Sequence, residues 1–504
     1  MSDDLARLAN GVLWPGFFGT EPPAWLLDEL GDGLAGVVYF GQNIGDGLAE
    51  MSARIRETNP DALIGVDEEG GSVTRLESAT GSTLPGAAQL GVLDDVEATR
   101  MTGAELARRV AEVGANVVLG PVADVNTDPR NPVIGVRSFG SDEALVSRHV
   151  RAAVAGIQSG PAAACVKHFP GHGDTHVDSH HALPEIALDL DEFERVHLAP
   201  FRAAIAAGVD AIMTAHIVVP AWGEAPATLN PRVLEMLRDW GFDGVIISDA
   251  LDMAAIRETV GIGRGAALAL AAGTDLLCIG NPTNPGEAAL ADQDRRDFLD
   301  ARDGIVAALL DGSLSRGRVE EAAQRVAALA EKLRAREAAV SPAGGYDARD
   351  IVDRAISGAT ADEASLAVVD ARRRSTLAVD SAGAYVAEAL AEDGHRARLD
   401  VARSSLEEQD AALDAAVAAE GLTVILLDRP DADDAQRALV ERAAARDPET
   451  VVVNVGLAAR RALPLPVIEV GAASRIGAQT ARSRLLKGAP RRADLPPDGA
   501  GRPD

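Results

Sequence analysis

Eight short apolar runs alternate with amphipathic segments through the first two thirds of the chain, and this alternation limits the fold more than any other feature. The runs fall at 11–17, 36–41, 62–67, 116–122, 162–168, 210–217, 244–249 and 274–279. Helical periodicity fills 96–113, 142–158, 191–207, 230–239 and 262–272 between them. Continuous apolar runs of this length mark strands buried on both faces, and strands that alternate with helices pair in parallel. Eight such units over about 330 residues predict a (β/α)8 TIM-type barrel; a doubly wound open sheet is the alternative.

A charged, helix-rich segment covers roughly 286–338, and Ser341-Pro342-Ala343-Gly344-Gly345 follows it as a linker signature. Beyond it, apolar runs at 365–370, 376–381, 422–428, 450–456 and 466–471 predict a smaller three-layer α/β sandwich domain. The expected organisation is therefore a catalytic barrel over 1–338, a linker over 339–350, a C-terminal α/β domain over 351–488 and a disordered tail over 489–504. No internal repeat is present.

The formal net charge is -29, from 48 Lys and Arg against 77 Asp and Glu. That argues against nucleic acids and anionic membrane surfaces, whose binding needs clustered cations. The N-terminus is acidic and has no apolar core of a signal peptide, and no run reaches the roughly 18 apolar residues of a membrane span. The expected location is the cytoplasm. The two cysteines, Cys165 and Cys278, lie within apolar runs and read as small core residues, not as a disulfide.

The chemistry concentrates just past the fifth run. The stretch from Lys167 to His181 holds five of the nine histidines, broken by Pro170, Gly171 and Gly173 into a loop. In parallel α/β folds the loop after a strand's C-terminal end is where active sites are built. Charged residues close other runs as well: Asp67, Lys167 with His168, His216, and Asp249. Several such ends on one rim point to a catalytic face. A carboxylate fixed at a strand end, as Asp249 is, suits a nucleophile attacking carbon; Asp252, three residues on, reads as a helix cap. Asp178 and His180 stand two residues apart on the loop. A carboxylate beside an imidazole fixes its tautomer and raises its basicity, which suits proton donation to a leaving group and later abstraction from water. Gly70-Gly71 allow the backbone to turn sharply near a ligand. Arg75 and Arg137 are candidates for gripping hydroxyls or carboxylates, although composition alone favours surface salt bridges for both.

These residues leave a sugar-bond hydrolase built on Asp249 and the Asp178–His180 pair, and a metal-dependent barrel hydrolase with the histidine loop as ligands. The crowding of histidines on one glycine-broken loop disfavours the metal, because zinc barrels spread ligands over several rigid strand ends. A binding module without catalysis accounts for neither the strand-end carboxylate nor the Asp–His pair.

Four segments then carry a resemblance: IGVDEEGGSVTRL at 64–76, GPVADVNTDPRNPVIGVRSFG at 120–140, KHFPGHGDTHVDSHHALP at 167–184 and GFDGVIISDALDM at 241–253. In this order they resemble glycoside hydrolase family 3, in its bacterial β-N-acetylglucosaminidase branch, which the KHFPGHG segment followed by DSH marks. The resemblance implies Asp249 as a nucleophile forming a covalent glycosyl-enzyme, His180 as acid/base and Asp178 as its partner. It implies Asp67, Arg75, Arg137, Lys167 and His168 as the sugar-binding set, with His216 lining the pocket. It further implies retained configuration, no cofactor or metal, and small glycans or cell-wall muropeptides as substrates. A phosphorylase using phosphate in place of water, and a β-glucosidase, are the alternatives within the family. The simplest members of the branch end after the barrel, so the C-terminal domain is expected to be structural or interfacial; nothing in the sequence fixes the oligomeric state.

Overall fold

A computed structural model describes residues 2–175, 183–337, 345–373 and 383–486. The expectations placed on Asp178 and His180, on a strand at 376–381, on the first half of the linker and on the tail lie outside these residues. The chain forms two compact units. The first comprises Met1–Glu69, Thr99–Ile134 and Gly140–Ala343, and the second Gly70–Ala98, Gly135–Phe139 and Gly344–Asp504. Segments 70–98 and 135–139, which the sequence places within the barrel, pack with the second unit.

All eight expected strands of the first unit are present: β1 (Leu13–Pro15), β2 (Gly36–Tyr39), β3 (Leu63–Val66), β4 (Val117–Val118), β5 (Ala163–Phe169), β6 (Ala211–Thr214), β7 (Val245–Ile247) and β8 (Leu277–Gly280). Strands β2 to β7 pair in parallel in chain order. The bonds Ser248 N–Leu276 O (3.0 Å) and Leu276 N–Ile246 O (3.1 Å) join β7 to β8, and β8 pairs in parallel with β1. At the seam between β1 and β2 the indole of Trp14 crosses to β3 and donates to Leu63 O at 2.7 Å. A Cβ on Gly65 would lie 2.3 Å from that ring, so only glycine fits there. The result is a TIM-type (β/α)8 barrel.

Its interior is filled by Trp14, Val38, Leu63, Val117, Leu119, Ala163, Cys165, Ala211, Met213, Val245, Ile247, Leu276 and Cys278. Both cysteines are buried and unbridged, as expected. The core is closed by α2 (Arg316–Glu337), preceded by α1 (Gln293–Asp311). Val326, Leu329, Ala330 and Leu333 of α2 pack into it, and its basic residues meet carboxylates beside β6 and β8. Asp275, fully buried, is bonded by Arg238, by Arg318 at 2.7 Å and by Arg325 at 3.2 Å; Lys332 reaches Asp210 at 2.6 Å. The helix expected at 191–207 is instead two, Leu190–Val196 and Ala199–Ala206. Pro200 enters the first turn of the second, where its missing N–H costs nothing.

The second unit carries a six-stranded sheet of β9 (Ser357–Gly358), β10 (Leu366–Asp370), β11 (Arg396–Arg398), β12 (Leu422–Leu427), β13 (Val451–Asn454) and β14 (Val467–Glu469). The spatial order is β9-β14-β13-β12-β10-β11, with only β9 antiparallel to its neighbour. Alternate residues of each strand face opposite sides. Leu366, Val368, Val424 and Val453 join one core with helices Ala348–Ala355, Ala384–Ala391 and Arg475–Leu485. Ala367, Val369, Ile425 and Val452 join the other with Leu406–Ala418 and Asp434–Arg446. Two cores on one sheet make the three-layer α/β sandwich expected from the sequence. Within this unit, Ser72 Oγ accepts from Ala473 N at 2.9 Å and Gln89 donates to Val470 O at 2.9 Å, which is how segment 70–98 is held.

Candidate active site

The C-terminal ends of β3, β5, β6 and β7 bring their polar residues to one rim of the barrel. After β3, Asp67 and Glu69 lie two residues apart and both reach the Lys167 ammonium, Asp67 Oδ1 at 2.7 Å and Glu69 Oε1 at 2.8 Å. Lys167 is almost fully buried, so its charge is matched by carboxylates and not by water. Asp249 follows β7 and is partly exposed. Its Oδ1 accepts from Ala250 N at 2.8 Å, and its own N–H donates to Thr214 Oγ1 at 3.3 Å. Burial pushes the Cys165 thiol up to about 12; the charge of Lys167 opposes this, while those of Asp67 and Asp249 add to it. One sulfur inside the barrel thus feels the three groups the sequence assigns to the rim.

Asp124, which the sequence reading passed over, organises the next part. It is fully buried. Its Oδ2 takes the His168 ring at Nδ1 at 2.8 Å, and its Oδ1 accepts from His172 N at 2.7 Å and from His168 N at 3.3 Å. Burial alone would raise this carboxyl; the charge and hydrogen bond of His168, with those of His172, hold it down at about 2. An ionised carboxylate only accepts, so Nδ1 of His168 carries the proton and Nε2 is left to meet a ligand. The signal for Asp124 was available: it sits two residues past an apolar run, as the other rim carboxylates follow theirs. Glu69 shares a face with Asp67 by the two-residue period of extended chain.

The histidine loop is pinned as far as Thr175. His172 Nδ1 lies 2.9 Å from Thr175 Oγ1, Asn131 donates to His172 O at 2.8 Å, and Thr127 donates to Asp174 at 2.6 Å. A Cβ on Gly173 would lie 1.8 Å from Val125 O, so the loop presses on the 124–131 segment backbone to backbone. Burial lowers the pKa of His172 to about 4, with Asp124 and Asp249 opposing and His168 reinforcing. Asp178 and His180 follow beyond the described residues.

The other residues singled out by the sequence are placed as follows. Arg75 and Arg137 belong to the second unit, where Arg137 is buried. The turn before Arg75 is as expected: Gly70 and Gly71 take φ of +79° and +58°, and a Cβ on either would lie 2.5 Å from the Pro85–Gly86 backbone. His216 is fully buried, with Nδ1 at 2.9 Å from Thr228 Oγ1 and Nε2 at 2.9 Å from Ala250 O. Asp252 does not cap the next helix, whose N-cap is Met253 without a side-chain bond. Its carboxylate accepts instead from Asn284 at 2.7 Å.

A beta-hexosaminidase of Stenotrophomonas maltophilia is 37% identical over 303 residues, covering 56% of this chain and 88% of that protein. Beta-hexosaminidase A of Pseudoalteromonas piscicida is 33% identical over 252 residues, which span 45% of this chain and only 42% of that longer protein. Among solved structures, a glycoside hydrolase family 3 beta-N-acetylglucosaminidase from Paenibacillus sp. is 29% identical, with a TM-score of 0.79 over 95% of both chains. The model of the glycosyl hydrolase family 3 N-terminal domain matches residues 26–329, the barrel from before β2 into α2. The chain belongs to glycosyl hydrolase family 3.

Proposed function

We propose that this protein is a retaining exo-β-N-acetylglucosaminidase that removes terminal N-acetylglucosamine from small glycans, cell-wall muropeptides among them. The observation that carries the reading is Asp249, a partly exposed carboxylate oriented by Ala250 N–H at 2.8 Å on the rim that also holds Asp67, Lys167 and His168. The names of the relatives support the substrate class.

In this reading Asp249 attacks the anomeric carbon while His180, oriented by Asp178, protonates the departing oxygen. The same imidazole then takes a proton from the water that opens the glycosyl-enzyme, and the two inversions retain configuration. Lys167 donates to sugar hydroxyls, Nε2 of His168 accepts from one, and Asp67 completes the grip. The barrel is the catalytic part, and the second unit serves stability or an interface. Among the described residues no helix is long and apolar enough to cross a membrane, and we place the protein in the cytoplasm, working on imported fragments.

The test is a panel of nitrophenyl glycosides with and without phosphate. Faster release from the N-acetylglucosaminide than from the glucoside, with free sugar as product, supports the reading. A sugar 1-phosphate makes the protein a phosphorylase, and preference for the glucoside makes it a β-glucosidase. Activity that disappears on chelation would return the metal-dependent alternative.

A further inference from the structure

Behind Asp249 lies a chain of buried polar groups. Thr214 at the end of β6, His216 two residues on, and Thr228 in the turn Ala227–Leu229 are all fully buried. Their bonds run in one line. Asp249 N donates to Thr214 Oγ1 at 3.3 Å, Thr214 Oγ1 lies 2.8 Å from Thr228 Oγ1, and Thr228 Oγ1 lies 2.9 Å from His216 Nδ1. His216 Nε2 then returns to Ala250 O at 2.9 Å.

The direction of every proton follows from the ends. A carbonyl only accepts, so Nε2 of His216 carries a hydrogen. In the neutral ring Nδ1 must then accept, and Thr228 gives it its single proton although Ala215 O lies 3.1 Å away. Thr228 therefore accepts from Thr214, which leaves Thr214 an acceptor for the Asp249 N–H. The line begins on the amide of Asp249 and ends on the carbonyl of the next residue, whose own N–H holds Oδ1 of the Asp249 carboxylate.

We infer that His216, with Thr228 and Thr214, is a positioning relay for the nucleophile and not a sugar ligand. A sugar hydroxyl at either ring nitrogen would have to break a bond that holds residues 249–250. Ser248 and Leu251 on either side are tied to Leu276 O and Cys278 O at 3.0 and 2.9 Å; the relay adds the constraint on residues 249–250 themselves, from the end of β6 and the turn Ala227–Leu229. Misplacing a reacting group by about 1 Å costs on the order of a hundredfold in rate, so losing the relay acts on kcat and leaves sugar affinity intact. The inference rests on Asp249 being the nucleophile.

The experiment is steady-state kinetics on nitrophenyl N-acetylglucosaminide combined with azide rescue. His216→Ala and Thr228→Val are each expected to lower kcat by about ten- to a hundredfold with KM changed less than about twofold. His216→Gln, whose amide can still donate to Ala250 O, and Thr228→Ser are expected to recover most of that loss. In Asp249→Gly, azide attacks the anomeric carbon in place of the carboxylate, the aryl oxide leaves, and an α-glycosyl azide forms. Adding His216→Ala to Asp249→Gly is expected to leave the azide-rescued rate unchanged, because the group that His216 positions is gone. A KM rise of about tenfold, or an equal further drop in the rescued rate, makes His216 a sugar ligand and overturns the inference; so does unchanged kcat in Thr228→Val, which carries the test should His216→Ala not fold. Asp249→Gly with wild-type turnover and no azide adduct would instead overturn the assignment of the nucleophile.

Discussion

Asp124 holds His168 by its Nδ1 at 2.8 Å while itself shut off from water. The same carboxylate takes the backbone N–H of His172, four residues along, at 2.7 Å. One buried charge thus sets the tautomer of a ring on the rim and the take-off of the loop that runs on towards Asp178. Removing the charge while keeping the shape should disturb both. Asp124→Asn is expected to lower kcat/KM on nitrophenyl N-acetylglucosaminide by about ten- to a hundredfold, the range seen when a histidine's orienting partner is lost. Unchanged kcat/KM would mean that His168 needs no fixed tautomer.

His172 gives the protein a defined response to acid. Its folded pKa lies near 4 against an ordinary 6.5, chiefly through burial. Between those values the unfolded chain binds a proton that the folded chain refuses, so stability falls as pH drops through that window. A depression of that size corresponds to about 3 kcal/mol. Asp124 acts lower: its carboxyl sits at about 2 against 3.8, so the stability it contributes above about pH 4 is lost as pH falls towards 2. Urea denaturation from pH 7.5 to 4 should show a decline that begins near pH 6.5 and is shallower in His172→Gln. A remainder is expected from His197, buried and likewise lowered. An identical slope in the variant would remove His172 from the account.

Asp275 should matter for stability and not for catalysis. It is fully buried among Arg238, Arg318 and Arg325, at the N-terminal end of β8, opposite the strand ends that carry the rim residues. Breaking a buried ion pair from one side typically costs 3–5 kcal/mol. Asp275→Ala is expected to lower the unfolding free energy by about that amount, with kcat at low temperature within about twofold of wild type. A stable variant would show that the three guanidinium groups are solvated adequately without their partner.

The barrel was legible because parallel strands buried on both faces leave unbroken apolar runs, as Ala211–Thr214 and Val245–Ile247 do. The edge strands β9 and β11 were not, since Ser357–Gly358 and Arg396–Arg398 are short, polar and largely exposed. Edges are commonly kept short and charged, which removes the pattern that reveals a strand. The rim residues Asp67, Lys167, His168 and Asp249 were readable from their place after apolar runs. Periodicity is local, however, and says nothing of partners hundreds of residues away. Ser72 and Ala473, 401 positions apart, meet in the second unit, and this long-range pairing draws Arg75 with its segment out of the barrel unit. His216 looked like a rim residue by the same rule as Asp249; only its two bonds to Thr228 and Ala250 show it turned inward.

The central claim is that Asp249 becomes bonded to the sugar. Incubation with an activated fluorinated N-acetylglucosamine analogue that slows deglycosylation, followed by digestion and peptide mass spectrometry, tests it directly. The predicted result is one sugar per chain, located on Asp249, and an Asp249→Ala variant that stays folded while turnover falls on the order of ten-thousandfold. Label on another residue, or Asp249→Ala turning over at near the wild-type rate, would contradict it.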